Sequence, residues 1–383
     1  MCPSHIAATV GAVGLHGSHM RQSLLNGTWT AIRPPDGADA GEQLEKVRTF
    51  ALAFRANHGG ISVHQPPEEW CNFCIPNCGA VNPDIMNRDG IRVTTLRGLS
   101  FLVTQTLIRE GVRGLYNIKS PFGVRERVLF PDHGSTLPEI PPAVFAAALR
   151  ICRERILSLK HIHDQSDIIM LPELIIGIGG NSVVSERGLS HTHVQIVGVS
   201  HVSIALRLEM PQLYRFYMQH ERCPVCDIIR IEREGTLTVG STEHFLALVP
   251  YASQSPFTIC ITPLDHYSQY EATPPELFGE LGALIQDSVA KLGALLGDRF
   301  PYYLILRNGP ERFTLDAGFL SQPLSRSMIE SMYHYSITIV PQFPELPSEI
   351  EEFIQTSINP VPPEFAAQIL KQPPDQIRQW VEQ

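Results

Sequence analysis

The chain lacks any apolar run long enough to cross a bilayer. Its longest runs, within 167–172 and 174–178, fall far short of the roughly 20 residues a spanning helix needs. It also lacks an excess of positive charge. Thirty Lys and Arg stand against 39 Asp and Glu, a net charge of -9. That balance argues against non-specific binding to a nucleic acid polymer and leaves room for a local basic pocket around a phosphate. No Lys or Arg precedes the mildly apolar stretch 6–15, which makes it a poor signal peptide. No Walker loop is present, and Gly177-Ile178-Gly179-Gly180 lacks the helix-opening third glycine of a dinucleotide fingerprint. Cysteine is sparse: eight in 383 residues are too few for a disulfide scaffold. Four of them stand in two Cys-x-x-Cys pairs, which suits a metal better than cross-links. Cys2, Cys78, Cys152 and Cys260 are isolated and read as ordinary thiols. Together these absences predict a cytoplasmic protein with no membrane partner.

What the chain does have is one pattern written twice. With 43% hydrophobic and 18% charged residues, it reads as soluble and globular, long enough for two domains. Cys71-x-x-Cys74 is followed by Asp132-His133 and then by His191-Thr192-His193-Val194-Gln195. Cys223-x-x-Cys226 is followed by Asp265-His266 and then by His334-Tyr335-Ser336-Ile337-Thr338. After His133 come Pro141, Pro142 and Phe145; after His266, Pro274, Pro275 and Phe278 stand at the same offsets. Helical patterning follows each Pro-Pro, over 143–159 and 276–296. Strands are predicted before each Asp-His, at 124–130 and 257–261, and after each helix, at 168–178 and 302–307. Each half then closes on an alternating strand, 191–197 and 334–340. On such strands His191, His193 and Gln195 share one face, as do His334, Ser336 and Thr338. Residues 1–19 are set aside as an N-terminal extension expected to be disordered, because Gly17-Ser18-His19-Met20 resembles a cloning junction. The remaining divisions are a catalytic half at 20–215, a second half at 216–345 and a C-terminal appendage at 346–383.

Two thiolates and two imidazoles per half supply the four S and N ligands of a closed tetrahedral zinc site. The predicted sets are Cys71, Cys74, His133 and His191, and Cys223, Cys226, His266 and His334. His193 is left over. A neutral imidazole is a good phosphorus nucleophile, and an amide two residues on, Gln195, is placed to donate to a phosphate oxygen as charge develops. In the second half Ser336 and Thr338 stand at those places, so that half is expected not to catalyse. Arg33, Arg125, Arg127 and Arg187 are candidate phosphate contacts.

His191-Thr192-His193-Val194-Gln195 resembles the H-x-H-x-Q motif of the galactose-1-phosphate uridylyltransferase branch of the histidine-triad superfamily. The resemblance extends to Asn26-Gly27-Thr28-Trp29, to Asn117 and Pro121, to Cys223–Asp227 with Glu243-His244-Phe245, and to Ile358-Asn359-Pro360. It implies an α+β fold of two tandem histidine-triad-like halves, each an antiparallel sheet with packed helices. It implies transfer of a nucleoside monophosphate between phosphorylated small molecules through a covalent adduct on His193, with Gln195 holding the phosphate, and a homodimer. Asn117 matches the family's Asn-x-x-x-Pro turn and Gly188 falls in its phosphate loop. Asn181 is one residue out of register with the family's phosphate-contacting Asn, and Ser185, Arg187 or Ser190 are the candidates to compensate for the changed loop, so these six are the expected substrate contacts. Glu209 stands 16 residues past His193, where some members carry a second metal ligand. Departures exist. Thr192 replaces the frequent proline, and Glu186 and Gly188 stand where Gly-x-Ser is usual. Glu352-Phe353-Ile354 lacks the acid linked to sugar recognition. Transfer to inorganic phosphate or water, and a non-catalytic zinc-stabilised nucleotide-binding role, are the alternatives.

Overall fold

Ten strands, five from each half, build one antiparallel sheet. The first half supplies β3 (Asp84–Arg88), β4 (Ile91–Thr95), β7 (Gly123–Leu129), β8 (Glu173–Gly179) and β9 (His193–Val199). The second supplies β10 (Thr238–Ser241), β11 (Phe245–Leu248), β12 (Ile259–Pro263), β13 (Tyr302–Arg307) and β16 (Ser336–Pro341). The halves meet where β8 pairs antiparallel with β13, with Leu304 opposite Ile178. Outward from that seam the order is β8-β9-β7-β4-β3 on one side and β13-β16-β12-β11-β10 on the other. The duplicated sequence pattern is thus a duplicated strand topology. The computed structural model describes residues 19–32, 39–58, 71, 74, 84–95, 109–112, 116–119, 123–164, 173–179, 191–199, 202–317, 320–343 and 356–383.

Among these residues the helices are α1 (Ala40–His58), α2 (Pro142–Asp164), α3 (Ile204–His220), α4 (Pro224–Glu232), α5 (Phe278–Leu296), α6 (Arg326–Met332), α7 (Pro363–Leu370) and α8 (Pro374–Glu382). Strands β1 (His19–Gln22), β2 (Trp29–Ile32) and β17 (Ser357–Asn359) form a separate small sheet. Two hairpins complete the set, β5 (Arg109–Val112) with β6 (Tyr116–Lys119), and β14 (Thr314–Ala317) with β15 (Leu320–Pro323).

Period-2 alternation gives the large sheet two unlike faces. Val128, Val194, Ile196, Leu304, Leu306, Ile337 and Ile339 point to a core shared with α2 and α5. The opposite face carries Arg127, His193, Gln195, Arg307, Ser336 and Thr338. Phe145 and Phe278, the aromatic residues of the two Pro-Pro-x-x-Phe repeats, are fully buried in that core. Burying each ring contributes about 2–3 kcal/mol. Helices α2 and α5 pack closely because Gly282 has no side chain: a Cβ there would lie 3.2 Å from Phe145 Cδ1. The C-terminal helices join the same core through Phe365, Ala366, Ile369, Leu370, Ile377 and Val381.

The observed strands shift from the expected ones for definable reasons. His191 and His334 precede their strands, which begin at His193 and Ser336. The β7–β9 ladder stops at Leu129 opposite His193, two residues before Pro131, which has no N–H to pair. Strand β12 begins at Ile259 rather than 257, because Phe257 takes a left-handed φ of 57° that no strand accommodates. A single 3-10 turn, Pro275–Leu277, precedes α5. His19, set aside with the N-terminal extension, opens β1 opposite Ile32. Residues 1–18 lie outside the described set.

Candidate active site and metal-binding groups

Histidines beside the ends of the central strands and the two Cys-x-x-Cys pairs assemble two four-residue groups. Cys71, Cys74, His133 and His191 form one, and Cys223, Cys226, His266 and His334 the other; within each, the ligand atoms all lie within 4.8 Å of one another. In the first, Cys74 Sγ is 3.3 Å from His133 Nδ1, and His191 Nδ1 is 3.8 Å from both sulfurs. In the second, Cys226 Sγ is 3.2 Å from His266 Nδ1 and 3.6 Å from His334 Nδ1. A tetrahedral ion with bonds of roughly 2.0–2.3 Å spaces its S and N ligands about 3.3–3.8 Å apart, so both sets fit a metal ion.

Backbone carbonyls fix which ring nitrogen carries the hydrogen. His191 Nε2–H donates to the Phe130 carbonyl (2.8 Å) and His334 Nε2–H to the Pro263 carbonyl (3.0 Å). Each carbonyl stands three residues before the other histidine ligand of its half. With Nε2 carrying the hydrogen, Nδ1 presents its lone pair to the thiols. In the second group a hydrogen bond from Cys223, aided by His266 and His334, pulls the Cys226 thiol down toward the thiolate a metal requires.

His193 belongs to neither group. Its Nδ1–H donates to the His191 carbonyl at 2.8 Å. A carbonyl can only accept, so Nε2 holds the lone pair. Gln195 Nε2 donates to that atom at 2.9 Å. Burial, with the Arg127, His191 and Arg125 charges assisting, lowers the His193 pKa to about 4, against the opposing pull of the His191 carbonyl. At neutral pH the ring is therefore uncharged and nucleophilic at Nε2. Arg127 stands directly across from Gln195 on β7, and Arg125 donates to Gln195 Oε1 through Nε (3.0 Å) and Nη2 (2.6 Å). Two arginines, an amide and a neutral imidazole thus share one patch of sheet. On the adjoining strand Gly179 and Gly177 pair with His193 and Gln195, so no side chain rises beside them.

The second half fills the same place. Ser336 pairs with Arg307, where His193 pairs with Gly179, and Thr338 pairs with Cys260, where Gln195 pairs with Arg127. Glu209 is buried on α3, with its Oε2 3.9 Å from the Arg307 guanidinium, and it joins neither metal-binding group. Asn181, Ser185, Arg187, Gly188 and Ser190 lie outside the described residues, as does Arg33; Asn117 lies on β6. Sequence reasoning brought Arg125 forward only as a phosphate contact and did not foresee its grip on Gln195. The Phe130 and Pro263 carbonyls were also missed, although their equal offset from His133 and His266 was a legible signal.

Comparison with known proteins bears on this arrangement. No family model matches the chain. It is 25% identical over 266 residues to a galactose-1-phosphate uridylyltransferase of Thermotoga maritima, covering 68% of this chain and 77% of that protein. The chain is thus similar in sequence to a galactose-1-phosphate uridylyltransferase over about two thirds of its length. This uridylyltransferase-like chain is also 23% identical over 252 residues to an ADP-glucose phosphorylase of Arabidopsis thaliana, covering 66% of this chain and 65% of that one. A crystal structure of an Arabidopsis thaliana ADP-glucose phosphorylase with bound ADP-glucose superposes with a TM-score of 0.68 at 19% identity, covering 93% of this chain and 99% of that one. The fold is therefore shared. No helix among the described residues is long and apolar enough to cross a membrane.

Proposed function

We propose that this protein is a nucleotidyltransferase that moves a nucleoside monophosphate between phosphate-bearing small molecules by way of His193. One observation carries the reading: the His193 Nε2 lone pair stands outside the metal group, with an amide donor and two guanidinium groups on the same sheet face. In the first step Nε2 attacks the α-phosphorus, an N–P bond forms, and the P–O bond to the departing phosphate breaks with its electron pair. Nδ1–H stays on the His191 carbonyl, which supports the positive charge the ring acquires. Gln195 and Arg127 are placed to stabilise the non-bridging oxygens. In the second step an acceptor phosphate oxygen attacks the phosphorus and the N–P electron pair returns to Nε2. Such a double displacement gives ping-pong kinetics. Incubation with ADP-glucose or UDP-glucose should add the mass of one nucleoside monophosphate to His193. His193→Ala should carry no adduct. Gln195→Ala should slow its formation about 100- to 1,000-fold, the cost of losing one oxyanion donor. An adduct that survives His193→Ala would end this reading.

The likeness to an ADP-glucose phosphorylase favours a second acceptor, inorganic phosphate, beside a sugar 1-phosphate. Presenting both acceptors to the preformed adduct separates the two, because only the acceptor in use discharges it. The placing of substrate against Asn117, Asn181, Ser185, Arg187, Gly188 and Ser190 is part of the same proposal. So are zinc as the metal in both groups, a homodimer and a reducing cytoplasm. The two-thiol, two-imidazole donor sets support zinc, and the absence of disulfides among the described cysteines is compatible with that compartment.

A further inference from the structure

Gln195 has two ends, and its chemistry depends on which one faces His193. The amide NH2 donates; the carbonyl oxygen accepts. If Oε1 faced the ring, it would stabilise a proton on Nε2 and repel an incoming phosphoryl oxygen. The orientation is therefore a functional choice, and a neighbouring residue makes it. Arg125 pairs with Val197, two residues beyond Gln195 on the same face of β9. That diagonal spacing, about 7–8 Å between neighbours and somewhat less between Cβ atoms, is within reach of an arginine. Its Nε and Nη2 both donate to Gln195 Oε1, at 3.0 and 2.6 Å. A guanidinium has five donors and no acceptor, so it can engage only the oxygen end of the amide. Gln195 Nε2 is left to donate to His193 Nε2 at 2.9 Å.

We infer that Arg125 is a positioning residue, which holds the Gln195 carboxamide so that its NH2 end always faces the nucleophilic nitrogen. In the resting protein that NH2 caps the lone pair. As the N–P bond forms and the departing phosphate leaves with its electron pair, the lone pair is consumed. The same NH2 end then donates to a non-bridging oxygen without the amide having to flip end for end. Arg125 acts through Gln195 and needs no contact with the substrate. The inference rests on the role proposed above for His193 and adds the residue that orients its partner.

The test is a double-variant cycle on full-length protein, with ADP-glucose and UDP-glucose as probes and single-turnover adduct formation as the readout. Arg125→Met should lower the adduct-forming rate about 10- to 100-fold with little change in KM, the scale of a small misplacement at a reacting centre. Arg125→Lys, which keeps a donor and the charge but loses the fork, should fall between it and the wild type. Arg125→Met combined with Gln195→Ala should be no slower than Gln195→Ala alone. Additive losses, or a KM that rises while kcat holds, would make Arg125 a direct phosphate contact and overturn the inference. A second readout does not depend on turnover. In ligand-free protein the Gln195 side-chain NH2 resonance, assigned by its loss in Gln195→Ala, should be shifted by its bond to the ring, and that shift should collapse in Arg125→Met. A shift unchanged in Arg125→Met refutes the inference. A wild-type protein that forms no adduct with either probe, yet shows the collapse, refutes only the catalytic reading.

Discussion

His193 is depressed by burial, and the sign of that shift fixes how it responds to acid. The folded protein protonates this ring only near pH 4, whereas a histidine in an unfolded chain titrates near 6.5. Between those values the unfolded state binds more protons. The contribution to stability is therefore complete above about pH 6.5 and drains away as the pH falls toward 4, on the order of 3 kcal/mol in all. Adduct formation should stay level from pH 7.5 to about 5 and decline below that, provided metal content measured on the same samples is constant. A decline already half complete at pH 6.5 would contradict the buried, neutral ring. Much of this residue's placement was legible in the sequence. H-x-H spacing leaves one imidazole beyond the four ligands, and strand alternation places Gln195 on its face. Arg125 was not legible as the orienting residue, because a diagonal contact depends on the β7–β9 register, which no local pattern states.

At the level of elements, each metal group ties the end of one strand to the start of another. His133 follows β7, His191 precedes β9, and the Phe130 carbonyl at the end of β7 binds the His191 ring. Strand ends that would otherwise fray are closed by side chains. Metal affinity should therefore appear as folding stability. Cys71→Ser and Cys226→Ser should each reduce the metal content by about one ion per chain. Each should also lower the thermal midpoint by several degrees, at roughly 2–4 °C per kcal/mol for a domain of this size. Cys226→Ser, in the half where Ser336 stands at the place His193 takes in the other, should leave the proposed chemistry at His193 intact at temperatures well below its midpoint. Elemental analysis alongside calorimetry checks both. Unchanged metal content in either variant would remove that group from the account. The repeated Cys-x-x-Cys and Asp-His made these groups legible. The strand starts were not, because His191 and His334 stand just before their strands with Nδ1 turned to the sulfurs, a placement set by partners distant in sequence.

At the scale of the whole molecule, segments far apart in sequence are joined. Arg21 on β1 is buried among groups far away in sequence. Its guanidinium bonds Glu364 at the start of α7 (2.9 Å) and the Tyr251 carbonyl (3.1 Å), and it lies over the Tyr251 ring. Strand β17 runs parallel to β2, so the N-terminal and C-terminal segments share a sheet as well as an ion pair. Nothing in the sequence announced this pair, since 343 residues separate its members. A buried pair of this kind is weak evidence of net stability, because desolvating two charges offsets most of their attraction. Losing one member is a different matter, since the other remains buried without its counter-charge. Glu364→Gln and Arg21→Met should each cost about 2–4 kcal/mol in denaturant unfolding. The combined Arg21→Met, Glu364→Met variant should recover much of that loss, because it buries no lone charge. If the pair instead supplied its full Coulomb energy, the combined variant would be the least stable of the three.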